Sequence, residues 1–167
     1  MNIKRVFRHL AFPYWRLRRA FSSATMDRIE AAVMVSEQAH HAEIRFAVEG
    51  ALDLSPLFRG VSARQRALAL FGELGVWDTE ANNGVLIYLL LADRDVEIVA
   101  DRGFNGLVGS VHWESICREM EAMFAQDKFE AGVLLGIERI GSVLHQHFPL
   151  RRDADNANEL PDRPVRV

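Results

Sequence analysis

Two apolar stretches separated by a short polar turn form the clearest pattern in the chain. Val85–Leu91 has no charged residue and is rich in Val, Leu, Ile and Tyr, which is typical of a central strand covered on both faces. In Val96–Asp101, every second residue from Val96 onward is apolar and shares one face. Because Ala92–Asp95 supplies turn residues between the two stretches, the pattern predicts an antiparallel hairpin.

A strand and a helix are predicted before this hairpin. Glu43–Glu49 alternates strictly, so we expect a half-exposed strand with Glu43, Arg45 and Glu49 on its outer face. The sequence from Ser62 to Gln65 is typical of a capping box that begins a helix ending near Leu74. A strand, a crossover helix and a second strand usually form a right-handed parallel pair, so the first strand should run parallel to Val85–Leu91.

The remaining periodic segments predict helices. They are Met26–His40, His112–Gln126 and Phe129–His147, whereas Asp53–Gly60 contains Pro and Gly and is expected to be a loop. The expected fold class is α/β: a small mixed β-sheet, made of a parallel strand pair plus an antiparallel hairpin, sandwiched by about four helices.

The two ends of the chain differ from its middle. Residues 1–20 hold six of the 20 Lys and Arg residues and no acid, which leaves 14 basic against 23 acidic residues in the rest of the chain. Such an arm is expected to meet an anionic membrane surface, to fold onto its own acidic body, or to stay disordered. The predicted organisation is a basic aromatic arm (1–24), an α/β domain (25–148) and an extended C-terminal tail (149–167).

Composition also limits compartment and partners. The single Cys117 excludes an intrachain disulfide and a thiolate metal cluster. Arg16, Arg18 and Arg19 lie where a signal peptide would be apolar, and the longest apolar run is too short to span a bilayer. We therefore expect a cytoplasmic protein, or one peripheral at the inner face of the membrane. Outside the arm, basic residues are balanced by acids, so nucleic acid is not an expected partner.

Polar residues gather at both ends of the predicted parallel strands. The carboxyl-end rim, where open α/β sheets usually bind ligands, comprises Glu49, Asp93, Arg94 and Asp95. The amino-end rim comprises Glu43, Asp78, Glu80, Asn82, Asn83, Asp101, Arg102 and Asn105. Calcium prefers such oxygen ligands, so its candidate ligands are Asp78, Glu80, Asn82 and Asp101. Alternatively, these side chains cap loops and Arg102 neutralises a neighbouring acid.

The order of motifs resembles the TPM-domain family, which is known from bacterial exported or membrane-attached proteins and from thylakoid-lumen proteins. The resemblance covers about residues 43–148. It rests on a strand and crossover helix, a Trp-containing loop (76–78), Asn83-Gly84 opening a hydrophobic strand, the Asp93-Arg94 turn, a Gly-rich loop (103–109) and two closing helices.

The resemblance implies calcium binding and a weak acid phosphatase activity, with acids near the Asn-Gly strand entry and in the Gly-rich loop. In this chain those acids are replaced by Asn82 and Asn105, and a later one by Ser110 or His112. We therefore expect a noncatalytic binding or assembly module, acting near a membrane or with a protein partner. The alternative is a weak metal-assisted acid phosphatase in which Arg102 and His112 are the candidate catalytic residues.

Overall fold

The computed structural model describes residues 2–150 and 158–167. Its helices are α1 Ile3–Leu10, α2 Tyr14–Ala20, α3 Ser23–Glu37, α4 Leu54–Phe58, α5 Ala63–Glu73, α6 Ser110–Phe124 and α7 Phe129–His147. Its strands are β1 Glu43–Glu49, β2 Gly84–Leu90, β3 Asp95–Ala100 and β4 Val165–Arg166.

The four strands form one mixed sheet in the order β3-β2-β1-β4. The pair β1–β2 is parallel over its full length and β2–β3 is an antiparallel hairpin, so the predicted fold class is confirmed. The short strand β4 adds a second parallel partner on the other edge of β1.

Helices cover both faces of the sheet, and each face carries its own hydrophobic core. One core contains Ile44, Phe46 and Ile87 and packs against α3, α6 and α7. The other contains Leu86, Tyr88 and Val99 and packs against α4 and α5. The described part of the chain includes no helix with the length and apolar character that crossing a membrane would need.

The expectation that β1 is half-exposed is wrong. All seven of its residues are buried, including Glu43, Arg45 and Glu49. Alternation predicts one exposed face only when nothing covers that face, and here α5 and residues 158–167 lie over it. Each of the three charged side chains is therefore taken out of water and needs a partner within the protein.

Several element boundaries also differ from expectation. Helix α3 begins and ends about three residues earlier than predicted, because Ser22 caps it by accepting a hydrogen bond from the Thr25 amide. The segment 53–60, expected to be a loop, contains the short helix α4. The capping box between Ser62 and Gln65 is confirmed, and α7 has the predicted limits. Of the predicted tail, residues 151–157 lie outside the described residues.

The entry into β2 requires glycine. A Cβ atom built at Gly84 would lie 2.0 Å from the carbonyl oxygen of Val76, far inside van der Waals contact. Because that oxygen belongs to the backbone, it moves only if the preceding loop moves. Gly72, on the exposed side of α5, has nothing within 4 Å of its own Cβ position and provides a matched comparison.

We expect Gly84→Ala to lower the free energy of unfolding by roughly 2 kcal/mol or more, because the loop before β2 must shift. Gly72→Ala should instead raise it by about 0.5–1 kcal/mol, since alanine favours a helix interior. Urea denaturation of both variants and the wild type measures this difference. Equal midpoints for the two variants would contradict the close approach at Gly84.

Candidate functional site

The carboxyl-end rim is covered by the protein's own N-terminal arm, which forms α1 and α2. Asp93, in the hairpin turn, accepts hydrogen bonds from Arg5 Nε at 2.8 Å and from Arg8 Nη2. Arg5 also donates to the carbonyl of Val61 at 2.9 Å. Burial alone would raise the pKa of Asp93, but the Arg5 hydrogen bond and the nearby His9 and Arg5 lower it overall. The structure thus follows the alternative in which the arm folds onto the body.

His9 anchors the same helix inside the protein. Its side chain is buried, and Nδ1 accepts a hydrogen bond from the Leu52 amide at 3.0 Å. Burial lowers the pKa of His9, so the ring is neutral at neutral pH and its hydrogen is on Nε2, which lies 3.1 Å from Asp93 Oδ1. The Leu52 hydrogen bond thus fixes the ring of His9 beside Asp93.

Two other members of the carboxyl-end rim, Glu49 and Arg94, are held by separate partners. Glu49 accepts hydrogen bonds from Tyr88 Oη at 2.7 Å and from Arg66 Nε at 3.0 Å. Arg94 is paired with Asp127 in the loop between α6 and α7 at 2.7 Å. Burial raises the pKa of Asp95 to about 6. Asp93, Glu49 and Arg94 therefore each have different hydrogen-bond or ion-pair partners, while Asp95 lies close enough to Asp93 and Arg5 for their charges to affect its pKa.

The amino-end rim is divided in a similar way. Glu43 is buried and faces the C-terminal segment, where it accepts hydrogen bonds from the amides of Glu159 and Leu160. Asn83 is fully buried and donates to the carbonyl of His41 at 2.6 Å, which ties the loop before β2 to the loop before β1. Both residues therefore hold segments of the fold together.

Three other members form a small polar group in the loops beside these strands. Arg102 Nε donates to Asn82 Oδ1 at 2.7 Å, and its amide donates to Asp101 Oδ1, also at 2.7 Å. The second carboxylate oxygen of Asp101 is buried and has no hydrogen-bond partner within residues 2–150 and 158–167. The remaining members, Asp78, Glu80 and Asn105, are exposed, as is the candidate catalytic residue His112.

Of the four predicted calcium ligands, this group brings together Asn82 and Asp101. The guanidinium of Arg102 donates to the oxygen of Asn82, so that candidate ligand already accepts a hydrogen bond from a cation. Within the described parts of the chain, no group of three or more His, Cys, Asp or Glu side chains could hold a metal ion. A calcium site needs six to eight oxygen ligands, most of them charged in tight sites.

A polar cluster beside Glu43 was not expected from the sequence. Glu37, at the end of α3, accepts a hydrogen bond from the Ile44 amide at 2.8 Å, and Arg45 donates to the carbonyl groups of Pro161 and Arg163. No local pattern signals these contacts, because the two Arg45 acceptors lie 116 and 118 residues away.

The chain belongs to the TPM-domain family. The family model for the TPM domain matches residues 17–143, which is most of the chain and includes the whole parallel pair, the hairpin, α6 and most of α7. The resemblance inferred from the Asn-Gly strand entry and the Asp-Arg turn is therefore confirmed. No curated protein matches the chain.

Two solved structures are similar to this protein. The BA42 protein of the psychrophilic bacterium Bizionia argentinensis is 27% identical, with a TM-score of 0.75 over 87% of this chain and 94% of that chain. The N-terminal domain of the cg2496 protein of Corynebacterium glutamicum is 14% identical, with a TM-score of 0.55 over 80% of this chain and 82% of that chain. The second likeness shows the shared fold alone.

The acids beside β1 make stability depend on pH. Burial raises the pKa of Glu37 to about 8, and the nearby Glu43 and Asp162 add repulsion, although the Ile44 hydrogen bond opposes this. Arg45 is the cation on the same side of β1 that interacts with Glu37. In the unfolded chain the pKa of a Glu side chain is about 4.3. The folded chain therefore binds more protons between these values, and its free energy of unfolding falls as pH rises through them.

We expect Glu37→Gln to flatten this pH dependence and to raise the free energy of unfolding near pH 8 by about 1–3 kcal/mol. Glutamine keeps an oxygen that can accept from the Ile44 amide and carries no charge. Urea midpoints measured from acid to alkaline pH, with the exposed Glu138→Gln as control, test this. Parallel pH profiles for the wild type and Glu37→Gln would contradict it.

Proposed function

We propose that this TPM-domain protein is a noncatalytic docking module that attaches to an anionic membrane surface through α1 and α2. The observation that carries the proposal is the outer surface of the arm. It exposes more than half of each of five large apolar side chains, namely Ile3, Phe7, Leu10, Tyr14 and Trp15. Ile3, Phe7 and Leu10 have helical spacing and share one face of α1.

The inner surface of the arm leaves this outer surface accessible. Arg5 and His9 face the body and hold α1 against the hairpin turn, while Leu17 of α2 is buried in the core. Docking on the body and contact with a membrane therefore use different sides of the same helices. The two alternatives expected from the sequence are compatible with each other.

Charge supports an anionic surface as the partner. Lys4, Arg8, Arg16, Arg18 and Arg19 are exposed beside the apolar residues, and the first 20 residues contain no acid. Each basic residue near an anionic bilayer contributes about 1 kcal/mol, and exposed aromatic side chains favour the headgroup region. Scattered single apolar residues are common on protein surfaces, but a group of this size is typical of an interaction surface.

Sedimentation with phosphatidylserine-containing vesicles tests the attachment. We expect the full-length protein to bind them at low salt, to bind less at high salt, and to ignore pure phosphatidylcholine, because the attraction is largely electrostatic. The double variant Phe7→Ala/Trp15→Ala should bind at least about tenfold more weakly, since each large apolar side chain contributes roughly 1.5–3 kcal/mol on burial.

The chain offers a matched control for that variant. Phe58 and Trp77 are exposed to 56% and 55%, close to the exposure of Phe7 and Trp15, but both lie outside the arm. Phe58→Ala/Trp77→Ala should bind vesicles like the wild type. If the full-length protein ignored anionic vesicles at low salt, or if both double variants bound equally well, the membrane proposal would fail.

A weak metal-assisted phosphatase is the competing function. Such an enzyme needs a nucleophile or a metal-activated water, together with cationic groups for the phosphate. Arg102 is engaged with Asn82, while His112 lies exposed at the start of α6. Among the residues that the structure describes, the buried Asp101 oxygen has no hydrogen-bond partner, and this feature favours the enzyme.

We expect no turnover of p-nitrophenyl phosphate by the purified protein, with or without calcium or magnesium. Titration calorimetry should give a calcium affinity weaker than about millimolar, because few charged ligands are available. Turnover that persists through purification and disappears in Asp101→Asn or Arg102→Ala would support the enzyme and overturn the noncatalytic proposal. Calcium affinity in the micromolar range would likewise restore the metal site.

A further inference from the structure

The free edge of β1 is filled by the C-terminal segment, residues 158–167. Val165 and Arg166 pair in parallel with Ala47 and Val48, and the amide of Val167 donates to the Val48 carbonyl at 2.9 Å. Adding an extended strand to an open sheet edge is a common way in which proteins bind peptides.

Two buried charges recognise the backbone of this segment. The two carboxylate oxygens of Glu43 accept hydrogen bonds from the consecutive amides of Glu159 and Leu160, each at 3.3 Å. The guanidinium of Arg45 donates to the carbonyl groups of Pro161 and Arg163. All four contacts are with main-chain atoms, so they select an extended conformation rather than particular side chains.

Side-chain selectivity comes from a few inward positions. Leu160 is 7% exposed and belongs to the apolar core on the α5 side of the sheet, and Pro164 is also buried. Glu159 accepts a hydrogen bond from the Glu80 amide at 2.8 Å. The side chain of Arg163, by contrast, is exposed, and only its carbonyl is used.

Two observations distinguish this segment from a permanent strand of the domain. The TPM match ends at residue 143, so the segment lies beyond the family domain. Its pairing with β1 covers only two residues, and the side chains that it covers most closely, Glu43 and Arg45, are charged. If the segment left, water could solvate both charged groups.

We propose that the edge of β1, with Glu43 and Arg45, is a peptide-docking groove that the chain's own C-terminal segment occupies. The partner that it fits is an extended segment of another protein. In that segment an acidic residue directly precedes a leucine, and a proline follows four positions after the leucine. The groove does not depend on the arm or on membrane attachment. The C-terminal segment competes with such a partner, because a short connection to the domain gives it an effective concentration of about millimolar. A partner therefore binds well only when that segment is displaced.

The test uses the full chain with a site-specific protease sequence in place of residues 151–157, folded first and then cut. The probe is a fluorescent synthetic peptide of residues 158–167, followed by fluorescence anisotropy. We expect the peptide to displace the cut segment and bind with a dissociation constant on the order of micromolar, and to bind the uncut protein at least about tenfold more weakly.

Two variant peptides separate recognition from nonspecific binding. Leu160→Ala should weaken binding at least about tenfold, because a buried leucine side chain is lost. Arg163→Ala should bind like the parent peptide, because Arg45 contacts only the carbonyl at that position. Circular dichroism, recorded when the cut segment has been washed out, checks that the domain remains folded.

Several results would overturn the proposal. If washing out the segment unfolded the domain, residues 158–167 would be an integral part of the fold. Failure of the peptide to bind, or equal losses for the two variant peptides, would exclude a selective groove. Another contrary result would be that the uncut protein forms dimers and the free peptide dissociates them. In that case the occupant of the groove would be a second copy of this chain, and the assignment to a different protein would be overturned.

Discussion

The structure depends on the complete burial of a strand that carries three charges. Strand β1 lies between β2 and β4 and is covered on both faces, yet Glu43, Arg45 and Glu49 belong to it. A buried charge is tolerated only when it is paired or hydrogen-bonded. The fold meets this requirement by placing Arg66 and Tyr88 on Glu49 and main-chain groups of the C-terminal segment on Glu43 and Arg45. Both α5 and residues 158–167 therefore supply partners for charged side chains of β1.

A second consequence concerns the two ends of β1. At its carboxyl end, His9 and Arg5 of the arm fill the position where open α/β sheets usually bind ligands. At its amino end, the C-terminal segment covers Glu43. Segments from the two ends of the chain thus occupy both ends of the same strand.

The two proposed attachment surfaces have different physical characters. The arm presents aromatic side chains and flexible cations, which suit a fluid, anionic surface without a fixed shape. The edge of β1 presents fixed main-chain groups and an oriented pair of charges, which suit one extended polypeptide. A protein with both surfaces can hold a partner segment near a membrane without using its TPM domain for catalysis.

The sequence by itself determined the features that local chemistry decides. The hairpin, the parallel pair, the capping box at Ser62 and the limits of α7 follow from periodicity and turn residues, and Gly84 follows from the strand entry. The basic and aromatic character of the arm is equally visible in composition. Only the tertiary structure decided which partners the charges find: Arg5 meets Asp93 from 88 residues away, and Glu43 meets Leu160 from 117. Alternation in β1 predicted exposed charges because a local pattern cannot reveal that a distant segment returns to cover them.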